Sequence, residues 1–139
     1  MRDSQTEDDV SEMTTLKRFI KVYEKSEVIF EENSQGNEMY IVRSGNVMLS
    51  TQAPGQEVVL GTLGKGDFFG EMALIDAAPR TATATAEESN TELIALDKER
   101  FMYLVQQQPA FALIIMHTLC QRVRERWALY SALFQDSTT

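Results

Sequence analysis

The chain of 139 residues holds one cysteine, Cys120, and one histidine, His117. A lone cysteine excludes an internal disulfide, and with no secretory leader pattern the expected setting is a reducing cytoplasm. One histidine is too few for a metal held by clustered imidazoles, so no metal site is expected, and a metal-dependent barrel enzyme lacks its usual ligands. No apolar run approaches the roughly 20 residues that cross a membrane. The longest is Phe111-Ala112-Leu113-Ile114-Ile115-Met116. Cations are scarce as well: 13 Lys and Arg stand against 21 Asp and Glu, a formal net charge of −8. A binder of phosphate backbones needs a basic face, so nucleic acid is not an expected partner of this chain alone. A small local anion site stays open.

What is present reads as one globular domain. Hydrophobic residues make up 43% of the chain, enough for a core in a protein of this length. Residues 1–10 are polar and acidic and read as a mobile tail; a single domain is expected over residues 11–139, with a first helix near 11–19. From residue 21 to 96 the texture changes to short β-type runs broken by turns. Val28-Ile29-Phe30, Met39-Tyr40-Ile41-Val42, Val47-Met48-Leu49 and Glu57-Val58-Val59-Leu60 are four of these. Ser44-Gly45-Asn46 reads as a tight hairpin and Pro54-Gly55 as a turn. Thr81-Ala82-Thr83-Ala84-Thr85-Ala86 alternates with period two, and Leu93-Ile94-Ala95-Leu96 completes the set. Closely spaced strands of this kind predict a sandwich or barrel. At Asp97 the pattern switches to helix, and a longer helix without internal Gly or Pro is expected over 109–134.

The chemistry concentrates in Phe68-Phe69-Gly70-Glu71-Met72-Ala73-Leu74-Ile75 and the residues up to Ala86. A glycine-punctuated loop leads into a helix at 71–75, too short to stand without packing. Its first amides have no helix carbonyl to bond and offer an anion site. Arg80, returned to the same end, would add a planar fork of donors suited to phosphate. Thr81 and Ala82 are small enough for a close backbone approach. Glu71, an acceptor, suits a sugar hydroxyl instead. The plainer alternative is a Glu71–Arg80 ion pair bracing the loop.

Gly70-Glu71-Met72-Ala73-Leu74 followed by Pro79-Arg80-Thr81-Ala82-Thr83 resembles the phosphate-binding cassette of cyclic nucleotide-binding domains. That family includes the catabolite activator protein, the regulatory subunit of protein kinase A and cyclic nucleotide-gated channels. The likeness extends to Val28-Ile29-Phe30-Glu31-Glu32, to Met39 through Gly45 and to Asp97-Lys98-Glu99-Arg100-Phe101, roughly residues 15–127 in all. It implies an α+β fold: an antiparallel, jelly-roll-like β-roll flanked by an N-terminal helix, a short cassette helix and two C-terminal helices. It implies a sensor, not an enzyme, whose ligand is cAMP, with cGMP as the alternative. Glu71 would bind the ribose 2′-hydroxyl. Arg80 would pair with the cyclic phosphate, helped by Thr81 and by backbone amides near Gly70, Met72, Ala73 and Ala82. Val59 and Leu60 would wall the pocket, and the last helix would close over the base, with Arg126 and Trp127 about where helix residues reach it. Two departures stand out: Ser26 and Asn33 occupy positions where the family has glycine. The helix-turn-helix of family transcription factors has no counterpart expected here.

Met116, Leu119, Val123, Trp127, Tyr130 and Phe134 recur every three or four residues, one apolar stripe along the last helix. Pairing with a second copy, a homodimer, is the expectation. Packing in that dimer is the alternative role for Trp127. A ligand-free β-roll acting as an interaction module is the competing reading of the whole chain.

Overall fold

The computed structural model describes residues 17–137; the expected acidic tail and most of the expected helix at 11–19 lie outside the described residues. Among the described residues there are eight strands: β1 (Ile20–Tyr23), β2 (Val28–Phe30), β3 (Glu38–Ser44), β4 (Val47–Ala53), β5 (Gln56–Leu63), β6 (Phe68–Phe69), β7 (Thr83–Ala86) and β8 (Thr91–Asp97). Helices α1 (Glu71–Asp76), α2 (Lys98–Gln107) and α3 (Pro109–Ser137) accompany them. The strands form two antiparallel four-stranded sheets, ordered β1-β8-β3-β6 and β2-β7-β4-β5. Period-two alternation points one face of each sheet inward. Tyr40, Val42, Val47, Phe69, Ala84, Leu93 and Ala95 meet there as one buried cluster.

Turn chemistry explains the connections. Pro54-Gly55 closes a true hairpin, with Ala53 opposite Gln56 and Gly55 at φ 83°. The expected hairpin at Ser44-Gly45-Asn46 is corrected: β3 pairs with β6 and β8 while β4 pairs with β5 and β7, so this turn carries the chain between sheets. A left-handed Gly45 serves either purpose, and which sheet the next strand joins is set by the core. Ser26 and Asn33 adopt φ of 73° and 69°, the left-handed backbone for which glycine is the usual residue and which Asn tolerates best among the others.

The Thr-Ala run is small for two reasons. Ala84 and Ala86 are buried at 0% and 1% exposure, so beyond Ala82 the alanines fill the inner face of the sandwich, where larger side chains have no room. On β5 the register slips between Leu49 and Ser50, whose partners are Gly61 and Val59. The extra residue, Leu60, bulges, and this edge strand shows Val59 and Leu60 each at 57% exposure.

The chain divides into two compact units, residues 1–99 and 100–139. In the second, Phe101 and Phe111 meet edge to face at 5.6 Å, tying α2 to α3. Pro109 opens α3, where its missing N–H is no loss. The helix ends at Ser137, three residues past the expected end at 134, and at 29 residues spans about 44 Å. Along it Met116, Val123, Trp127 and Tyr130 are more than half exposed, as are Leu113, Leu129 and Leu133.

Candidate functional site

The site is assembled at the end of β6. Phe69 pairs with Tyr40 of β3, and the two rings stack with centroids 5.3 Å apart. The chain then turns at Gly70, in the left-handed region at φ 80°. A Cβ there would also lie 2.6 Å from Arg80 Nη1, so glycine is required twice over. Helix α1 follows and buries Ala73 and Leu74, the packing that a six-residue helix needs to persist. It ends at Ala77, another left-handed residue at φ 54°, whose N–H bonds Met72 O.

Arg80 is pinned through its backbone. Its N–H donates to Ser34 O at 2.9 Å, and Asn33 N–H donates to Arg80 O at 2.8 Å. The left-handed Asn33 thus forms part of the brace that returns Arg80 to the start of α1. The side chain is 5% exposed. Nη1 donates to Gly70 O at 3.2 Å, and Cζ lies 4.1 Å from the Phe30 ring centroid and 5.8 Å from that of Tyr40. Nε is buried without a hydrogen-bond partner. Burial pushes the guanidinium pKa down, and Tyr40 and then Glu38 push it back up; an arginine in this position is still a cation at neutral pH. The ion-pair brace is not what the geometry shows: Arg80 joins no salt bridge among the described residues.

A cavity of about 100 Å³ opens here. Gly70, Glu71, Met72, Ala73, Arg80, Thr81 and Ala82, every cassette residue singled out in the sequence, line it. Val59 and Leu60 do not; the wall comes from the neighbouring strand, through Leu49, and from Phe30, Phe69 and Pro79. Leu49 lies in the core-facing alternation of β4 and was legible as an inward residue, whereas nothing local to Phe30 marks it as a neighbour of Arg80. The cavity therefore offers an acid at the start of a short helix and, on the same lining, a buried cation that joins no salt bridge among the described residues. That combination suits a ligand carrying hydroxyls and one anionic group. Arg126 and Trp127 belong to α3, where Trp127 is 64% exposed and meets Tyr130 edge to face at 6.0 Å. Among the described residues, no group of three or more His, Cys, Asp or Glu could hold a metal ion, and no helix is long and apolar enough to cross a membrane.

The chain is similar in sequence and fold to known proteins. The family model described as "Cyclic nucleotide-binding domain" matches residues 20–108. The cyclic AMP receptor protein of Thermus thermophilus is 40% identical over 106 residues, covering 76% of this chain and 49% of the relative. The crystal structure of the Thermus thermophilus catabolite activator protein superposes with a TM-score of 0.77 at 34% identity, over 88% of this chain and 59% of that one. The regulatory domain of Toxoplasma gondii PKA, crystallised with cAMP, superposes with a TM-score of 0.56 at 38% identity, over 60% of this chain and 32% of that one. The chain thus spans about half the length of the curated bacterial relatives it matches. With a matching cassette, a two-sheet roll and these likenesses in hand, the chain belongs to the cyclic nucleotide-binding domain family.

Proposed function

We propose that this chain is a cyclic nucleotide sensor that binds cAMP in the α1 cavity, with cGMP as the competing ligand. The observation that carries this is Arg80: a buried cation, its Nε without a partner, lining the same cavity as Glu71. A buried polar group without a partner is rare and calls for an explanation. A cyclic phosphate supplies one, since it brings one negative charge and acceptor oxygens. Glu71 takes the ribose 2′-hydroxyl. Thr81 and the amides of Met72, Ala73 and Ala82 complete the grip on the phosphate. Arg126 and Trp127 are the α3 residues assigned to the base.

The output is a shift in the population of α3, passed to a second copy or another partner. The exposed apolar residues of that helix support pairing, because a stripe of this length is not usually left to water. Calorimetry with cAMP and with cGMP tests the ligand: binding to at least one is expected, and no heat with either at millimolar nucleotide would end the proposal. Sedimentation tests the pairing. A dimer that Leu133→Asp converts to monomer is expected; a monomeric wild type contradicts it.

A further inference from the structure

Among the described residues no carboxylate forms a salt bridge with Arg80, and Glu38 acts on its pKa only after burial and Tyr40. The guanidinium meets Gly70 O through Nη1, the Phe30 ring under Cζ with the Tyr40 ring farther off at 5.8 Å, and the backbone of Gly36. A Cβ on Gly36 would come within 2.5 Å of Arg80 Nε and 2.6 Å of Cζ. Unlike Gly45, Gly55, Gly66 and Gly70, Gly36 does not have a left-handed φ. Its backbone is therefore open to alanine; what the position lacks is room for a methyl group beside the guanidinium. The Phe30 ring is itself fixed, tilted against Tyr40 at 5.9 Å and Phe69 at 5.7 Å.

We infer that Phe30 and Gly36 are positioning residues for the phosphate-binding arginine, an inference that rests on the reading of Arg80 proposed above. An aromatic face attracts the cation without neutralising it. A carboxylate would hold the guanidinium as firmly but would compete with the incoming phosphate. The neutral brace keeps Arg80 at the cavity wall with its charge available, so less freedom is lost when the ligand arrives. Gly36 supplies the space that this placement needs.

The test is calorimetric titration of the full chain with cAMP and with cGMP, as wild type, Gly36→Ala, Phe30→Leu and Phe30→Tyr, with a melting curve for each. Gly36→Ala displaces a side-chain terminus and no core residue. It is expected to weaken affinity roughly tenfold while leaving the melting temperature nearly unchanged. Phe30→Leu is expected to lose about the same factor, and Phe30→Tyr, which restores the ring face, to regain most of it. A purely structural role would move melting temperatures and leave affinities alone. Wild-type affinity in Gly36→Ala, or in a folded Phe30→Leu, overturns the positioning role while the site reading survives. A wild type that binds neither nucleotide overturns the site reading, and the positioning role with it.

Discussion

Replacing Arg80 with methionine should make the protein more stable and unable to bind nucleotide. The guanidinium is 5% exposed, its Nε has no partner, and no carboxylate pairs with it among the described residues. A buried donor left unpaired costs about 1–3 kcal/mol, and desolvating a charge adds several kcal/mol. Against this stand the contact with Phe30, about 2 kcal/mol in a dry setting, and the charged hydrogen bond to Gly70 O, about 1.5–3 kcal/mol. Methionine keeps much of the volume and removes all four terms. The balance favours the variant by about 1 kcal/mol, or roughly 3 °C in melting temperature for a domain of this size. With cAMP at a hundred times Kd, the wild type gains about 2.7 kcal/mol and the variant gains nothing, so the order reverses. Thermal unfolding of both proteins, with and without cAMP, reads all four values. A variant clearly less stable than wild type without nucleotide would refute the reasoning, because Arg80 would then be a structural brace and its spare donor no sign of a ligand.

Glu71→Ala should weaken cAMP binding by about 2 kcal/mol, roughly thirtyfold, with little change in stability. The same variant should bind 2′-deoxy-cAMP as the wild type does; a loss that persists with the deoxy ligand places Glu71 elsewhere. Ala77→Gly relieves a left-handed alanine at φ 54° and should stabilise the protein by about 0.5–1 kcal/mol in denaturant titration; a destabilised variant would show that the conformation costs nothing there. Burial raises the pKa of Tyr40, and of Tyr23, above the ordinary tyrosine value of about 10. Each keeps its proton in the folded state where the unfolded chain has lost it. Their contribution is therefore complete below pH 10 and is lost as pH rises through the folded values. Denaturation across this range should show stability falling above about pH 10, less steeply in Tyr40→Phe; an unchanged slope in that variant would remove Tyr40 from the account.

Much of the site was legible because its parts are close in sequence. Gly70 to Ala82 is one continuous segment, and each of its residue types has a local reason: a left-handed turn, a first helical turn, a planar donor, a small neighbour. The strands were legible from alternation. What escaped depends on which elements meet. Gly45 announces a turn but cannot say that β4 leaves for the other sheet. β5 is an edge strand exposed from Gln56 to Leu60, so its apolar run Val58-Val59-Leu60 stands in solvent, while Leu49 of β4 takes the cavity wall. Phe30 lies fifty positions before the arginine it supports, and no spacing rule joins them. Ala84 and Ala86, which continue the run after Thr81 and Ala82, are small because they fill the inner face of the sandwich.

The most direct test of the central claim is a crystal structure of this chain with cAMP. The account predicts the cyclic phosphate within about 2.7–3.2 Å of the Arg80 guanidinium donors, and the ribose 2′-hydroxyl at hydrogen-bond distance from the Glu71 carboxylate. A nucleotide seated away from Arg80, or one whose phosphate is held by other residues while Nε stays unpartnered, would contradict it.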